Sequence, residues 1–299
     1  MSKKVYSGID TIPSGHADDS VVKGCVVLEG GAFRGVYTSG VLDALMLNGI
    51  NTEYTIGVSA GALNGMNYVS GQIGRSGRIN LMYRHDSRYV SFRKILKNKG
   101  VIGFDFCFYQ IEDEPFDYKH FFSGKQKFIA VATNMNTGEA EYMCQDTFTD
   151  IFGATRASAS MPYVSKPVML DGTPYLDGGC SVKVAYEWPI KHDIDKIIVV
   201  RTRVNDFRYE VKEDKTPYKF YKKYPEFAKS LAGSNARYNE DCDTLAKLNE
   251  EGSIFQISPS KDLGVGRLEK DIEKLGELYW LGYNDTLANM DALKAYLAK

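Results

Sequence analysis

The stretch Glu53-Tyr-Thr-Ile-Gly-Val-Ser-Ala-Gly-Ala-Leu-Asn-Gly65 constrains this chain more than any other. An extended run ending at Ile56 feeds Gly57-Val-Ser-Ala-Gly61, and a helix-compatible segment starts directly after it. Strand, sharp turn and helix in that order make a nucleophile elbow. Ser59 at the turn takes a strained backbone, and the small residues Gly57 and Gly61 let strand and helix approach each other. With Ala60 opening the helix, the serine Oγ stands near N–H groups that favour developing negative charge.

A second segment supplies an anion site. Cys25–Leu28 reads as a buried strand and Val36–Leu47 as a helix stopped by Asn48-Gly49. Between them lies Glu29-Gly-Gly-Ala-Phe-Arg-Gly35, a loop whose successive backbone N–H groups meet a helix start. A nucleotide phosphate is a poor fit, because no Gly-Lys-Ser/Thr closes the loop and Ala32 breaks the dinucleotide pattern. One helix and one strand separate Gly35 from Ser59, so adjacent parallel strands would bring loop and serine to one sheet edge. The favoured reading is an oxyanion hole built from Gly30, Gly31, Ala32, Arg34 and Gly35. Arg34 is read either as a brace and counter-charge or as an ordinary salt-bridged arginine.

The third segment is Tyr175-Leu-Asp-Gly-Gly179. Asp177 ends a short extended stretch and is released by Gly178 and Gly179. Asp171 competes for the same role, but Asp171-Gly-Thr-Pro174 sits between two apolar runs and reads as a hairpin turn.

Taken together, Leu-Glu-Gly-Gly-Ala-Phe-Arg-Gly (28–35), Gly-Val-Ser-Ala-Gly (57–61) and Asp-Gly-Gly (177–179) resemble the patatin-like phospholipase family of serine acyl hydrolases. Ala-Ser-Ala-Ser-Met-Pro (157–162) adds a weaker likeness, and the resemblance runs from about Val21 to about Arg203. Where the family has a third glycine this chain has Ala32, which keeps the N–H but resists φ > 0. The resemblance implies a Ser59–Asp177 dyad without histidine. Ser59 attacks an ester carbonyl, Asp177 takes its proton, and the N–H groups of Gly31, Ala32 and Ala60 hold the oxyanion. The ordinary Asp pKa of about 3.9 matches that task poorly. It also implies a lipid or other acyl ester as substrate and no cofactor or metal. Acyl transfer to an alcohol or thiol, and lipid binding without turnover, remain the alternatives.

The chain order Ser59, Asp177, His192 also matches an α/β-hydrolase triad. Against it, the elbow follows only the second strand, and Lys191-His-Asp193 closes an expected helix over 184–190, where a polar cap is ordinary. His16, His85 and His120 lie away from every motif.

Composition fits an intracellular enzyme. With 299 residues, 43% of them hydrophobic, the chain can bury a full core, and its net charge of −1 opposes capture by nucleic acid. Five widely spaced cysteines without a CxxC pair read as reduced thiols. The first residues lack a signal-like apolar run, and nothing approaches the ~18 apolar residues of a membrane span. The expected location is cytoplasmic, with transient contact at a membrane surface; the oligomeric state is left open.

Further strands are expected over 128–133, 139–144 and 196–201, and a helix over 147–158. Alternating strands and helices predict an α/β fold, a three-layer α/β/α sandwich with a mainly parallel central sheet. The expected organisation is a polar segment 1–20, a catalytic domain 21–205 and a mostly helical region 206–299 packed on the core. An apolar stripe at helical spacing over 268–297 reads as core. The lysine- and aromatic-rich stretch 208–229 is read as a membrane-facing element or a solvated cap. The aromatic stretch 89–122 is read as core or as the lining of an acyl pocket.

Overall fold

The computed structural model describes residues 5–299, with the side chains of all of these but Lys94 and Leu96. Residues 1–4 of the expected N-terminal segment lie outside it. Two strands, β1 (Gly15–His16) and β4 (Gln72–Ile73), pair in a small antiparallel ribbon. The others build one mixed sheet: β2 (Val22–Leu28), β3 (Thr52–Val58), β5 (Lys127–Asn134), β6 (Ala140–Cys144), β7 (Val168–Leu170), β8 (Thr173–Asp177), β9 (Ile197–Val200) and β10 (Phe255–Ile257). The order is β10-β9-β2-β3-β5-β8-β7, with β6 also pairing β5. From β10 to β5 all neighbours are parallel, while β6, β7 and β8 join antiparallel.

Alternation along the strands produces two cores. Val26 and Leu28 of β2, Phe128 and Ala130 of β5, and Ile198 and Val200 of β9 face one side. Cys25, Val27, Ile129, Val131, Ile197 and Val199 face the other. Each side is covered by helices, so the sheet is buried on both faces, as a parallel sheet must be. Each such Val, Leu, Ile or Phe contributes ~1.5–3 kcal/mol on burial.

On the first side lie α1 (Val36–Leu47), α2 (Ala60–Val69) and α3 (Arg75–Tyr83), with the helix Ile272–Ala288 outside α1 and the helix Met290–Ala298 reaching β9 and β10 through Tyr296. Every residue of α1 from Val36 to Met46 is buried, which makes it a core helix rather than a surface one. Its Asp43 accepts hydrogen bonds from Gly74 N–H (2.8 Å) and Tyr279 OH (2.6 Å). On the second side the helix Pro225–Glu250 packs through Tyr238, Cys242 and Leu245.

Several element boundaries shift for local reasons. The helix expected from 147 starts at Ile151, because Thr147 and Phe148 turn back onto Cys144 O and Asp150 caps Gly153 N–H at 2.8 Å. The helix expected from 184 is Glu187–Lys191; Pro189, which has no N–H to give, confines it to a short turn start. The region 206–299 also supplies β10, an edge strand of the main sheet. In the stripe over 268–297, Leu275, Tyr279, Met290 and Leu293 are buried while Leu287 is exposed. Among the described residues no helix is long and apolar enough to cross a membrane.

Candidate active site

Parallel pairing of β2 with β3, in register Leu28 with Gly57, delivers the glycine loop and the serine to the same sheet edge. Ser59 sits at φ 55°, ψ −120°, between β3 and α2. A Cβ on Gly57 would lie 2.4 Å from Ala62 Cα, and one on Gly61 2.3 Å from Leu28 O. No side chain fits at either position, so the turn forces glycine there. The Ser59 N–H donates to Ser158 Oγ at 2.9 Å, which pins the turn to the end of the helix Ile151–Ser158.

Ser59 Oγ donates to Asp177 Oδ2 at 2.7 Å. Asp177 ends β8, which lies against β5 with Ala132 opposite Asp177. Its other oxygen accepts Gly179 N–H at 2.8 Å. Burial pushes the carboxyl up to about 6, against the hydrogen bonds from Ser59 and Gly179 and the charges of Arg267 and Lys183. Desolvation thus corrects much of the mismatch between an ordinary aspartate and a serine proton. Asp171, at φ 46°, lies in the turn between β7 and β8.

The glycine loop stands beside the serine: a Cβ on Gly30 would lie 3.1 Å from Ser59 Cβ. Residues Ala32–Gly35 form one 3-10 turn leading into α1. Gly30 N–H donates to Lys183 O, Phe33 N–H to Arg267 O and Arg34 N–H to Gly31 O. The N–H groups of Gly31, Ala32 and Ala60 carry no such bond among the described residues. Ala32 does adopt φ 50°, the conformation an alanine resists. Gly35 O accepts Asn64 Nδ2 at 2.8 Å, which clamps the loop to α2. At its root, Glu29 accepts Thr202 N–H (2.5 Å) and Tyr238 OH (2.8 Å), and Arg201 Nη2 donates to that same tyrosine oxygen.

The four histidines lie elsewhere. His192 stacks on Trp188 at 3.8 Å and contacts the Trp188 carbonyl, and among the described residues no histidine bonds Ser59 or Asp177. The triad reading has no geometric support.

From Ser59 a channel runs along α2, enclosing about 860 Å³ with its open mouth. Leu63, Met66, Ile79, Tyr89, Ile102 and Phe108 give it an apolar lining, with Asn64, Asn67, Arg75 and Asn80 among them. The aromatic stretch 89–122 therefore divides: Phe104, Phe108 and Phe116 reach the channel, while Phe121 is packed in the core. Sequence reasoning did not single out Asn64, Asn67 or Arg75. The i, i+3 spacing of the two asparagines on the elbow helix was the available signal.

Sequence comparison sets the chain among known proteins. It is 23% identical over 273 residues to the uncharacterized protein YjjU of Escherichia coli strain K12, which covers 86% of this chain and 74% of that protein. The crystal structure of VipD from Legionella pneumophila superposes with a TM-score of 0.49 at 15% identity, covering 93% of this chain and 68% of the other. Residues 224–298 match a domain of unknown function, DUF6363. Residues 26–186, more than half of the chain and all three motifs, match the patatin-like phospholipase profile. The chain belongs to the patatin-like phospholipase family, hydrolases acting on lipid esters.

Proposed function

We propose that the chain is a serine lipid acyl hydrolase working through Ser59 and Asp177, within a catalytic unit spanning residues 21–205. The observation that carries this is the 2.7 Å hydrogen bond from a strained, buried serine to a carboxylate whose pKa burial raises to about 6. As the Ser59 oxygen attacks the ester carbonyl, its proton passes to Asp177 Oδ2. Negative charge on the former carbonyl oxygen is held by the N–H groups of Gly31, Ala32 and Ala60. Each such donor is worth ~10²–10³ in rate. Gly30, Arg34 and Gly35 shape and hold that loop rather than donate from it. Collapse expels the alcohol, which takes the proton from Asp177 and leaves an acyl-serine. Water, deprotonated by Asp177, then releases the acid and restores the serine.

The apolar channel beside Ser59 suits the acyl tail. On the surface, exposed Phe220 packs on Tyr163 at 5.1 Å, with Lys219, Lys222 and Lys223 nearby in sequence, a composition suited to touching a lipid surface. Its five cysteines form no disulfide, in keeping with a reducing cytoplasm. A fluorophosphonate probe followed by peptide mass spectrometry tests the reading. Label on Ser59, with acyl release from phospholipid or a long-chain ester and none from Ser59→Ala, is the expected result. Failure to label where a control hydrolase reacts would overturn it.

A further inference from the structure

The turn Ala32–Gly35 has a second side. Phe33 faces the channel, its ring 6.0 Å from that of Tyr89. Arg34 instead lines a separate pocket of about 260 Å³, open mouth included. That pocket lies past the carboxyl ends of β9 and β10, walled by Thr202 and Arg203 after the one and by Pro259 and Lys261 after the other. In a parallel sheet this edge is where ligands bind.

Arg34 is only 5% exposed, yet among the described residues its side chain makes no hydrogen bond and no ion pair. Its Nε is buried without a partner; the Nε of the partly buried Arg203 also lacks a hydrogen bond, although that guanidinium stacks on the Phe207 ring at 4.1 Å. Burial, then repulsion from Arg203, hold the Arg34 guanidinium below the usual arginine range. The carboxylates within reach are engaged elsewhere. Glu29 holds Thr202 N–H and Tyr238 OH and lies 3.9 Å from Arg201 Nε. Asp262, on the pocket wall, accepts Gly264 N–H at 2.7 Å. At the rim Lys261 makes a 3.3 Å contact with Glu277 and adds a further positive charge.

Removing one partner from a buried charge costs several kcal/mol, so the unpaired Arg34 guanidinium, with a second cation beside it, is expensive unless an anion completes it. The planar guanidinium fork matches the spacing of phosphate oxygens, and Thr202, whose Oγ1 donates to Gly30 O at 3.3 Å, lines the same pocket. We propose that Arg34 and Arg203 form a binding site for a phosphate-class oxyanion, separate from the acyl channel and on the opposite side of the glycine loop. Whether the anion binds does not depend on the hydrolase reading; what it does there rests on it. The phosphate belongs either to the headgroup of the lipid being cleaved or to a free phosphate that braces the loop.

Calorimetric titration and thermal melting with inorganic phosphate test the site directly. The wild type is expected to bind and to melt higher, while Arg203→Gln loses most of that binding and Arg203→Lys recovers part of it. No binding by the wild type, or equal binding by wild type and Arg203→Gln, overturns the proposal. Acyl release then separates the sources. A headgroup site predicts that Arg203→Gln lowers kcat/KM on phospholipid vesicles ~10-fold or more and leaves a neutral short-chain ester unchanged. A free-phosphate site predicts that phosphate alters turnover of the neutral ester in the wild type and not in Arg203→Gln. Absence of acyl release from every ester would sink the hydrolase reading and leave the phosphate titration to decide this one.

Discussion

Arg75 and Arg34 are buried to the same degree, 4% and 5% exposed, on the two sides of the Ser59 centre, yet their surroundings are opposite. Arg75 Nε donates to Glu114 O at 2.9 Å, its Nη1 to Asn67 Oδ1 at 2.5 Å, and its guanidinium lies 5.3 Å from the Phe116 ring centre. Burial lowers its pKa to about 10, with the Glu114 charge partly offsetting the cost. It fastens α3 to α2 beneath the channel. The Arg34 side chain fastens nothing; only its backbone N–H holds the loop. A buried cation with its donors used is part of the frame, whereas one with its donors idle implies a missing partner. That difference separates the wall of the acyl channel from the proposed anion site.

The contrast assumes that the chemistry between the two sides belongs to Ser59 and Asp177, and the largest predicted effect tests that. Asp177→Asn keeps the shape and removes the base; kcat/KM should fall ~10³-fold or more. In the wild type, the carboxylate must be ionised to accept the serine proton. Activity should therefore rise with pH through about 6 and level off above it. A flat profile across that range, or an active Asp177→Asn, would show that another group takes the proton. His192→Ala should change little, since that ring is stacked on Trp188.

The arginine pair itself gives the second prediction. Arg75→Met orphans Asn67 Oδ1 and the Glu114 carbonyl and should cost ~2–4 kcal/mol in urea unfolding. Arg34→Met, measured without phosphate, should be neutral or stabilising, because no bond is lost and an unpaired charge is removed. Equal losses in the two variants would erase the distinction. A gain for Arg34→Met that vanishes when phosphate is added to the wild type would sharpen it.

How much of this was legible in the sequence depended on the range of the constraint. The serine turn and the loop from Glu29 to Gly35 show themselves because close approach leaves only glycine at Gly57, Gly61 and Gly35, a demand written within a few residues. Asp177 was readable as a strand end, although its distance from Ser59 depends on β8 pairing with β5 across the sheet. Other features leave no local mark. The clamp of Glu29 by Thr202 and Tyr238 joins residues 173 and 209 positions apart. β10 is three residues long, too short for its Phe-Gln-Ile alternation to stand out. In the stretch 89–122 a phenylalanine facing the channel and one in the core look alike, since both satisfy the same apolar requirement. Arg34 was ambiguous for a related reason: a salt-bridged arginine and an unpaired one have the same sequence neighbours.

The smallest predicted effect falls at the hinge between the two sides. Ala32 holds φ 50° one residue ahead of Phe33, which faces the channel, and two ahead of Arg34. An L-residue there pays ~1–2 kcal/mol of steric cost, whereas glycine pays none. Glycine, however, raises the entropy of the unfolded chain by an equivalent of ~0.4–1 kcal/mol. The difference predicts that Ala32→Gly is neutral or stabilising by up to ~1.6 kcal/mol. An ordinary alanine-to-glycine change would instead destabilise. The N–H at position 32 survives the change, so acyl release should stay within ~3-fold of the wild type. A loss of stability of ~1 kcal/mol would mean that the Ala32 methyl, which lines the channel, packs well enough to outweigh its backbone strain. A large fall in rate with stability intact would mean that the methyl, by stiffening the turn, holds the oxyanion donors in place for both sides at once.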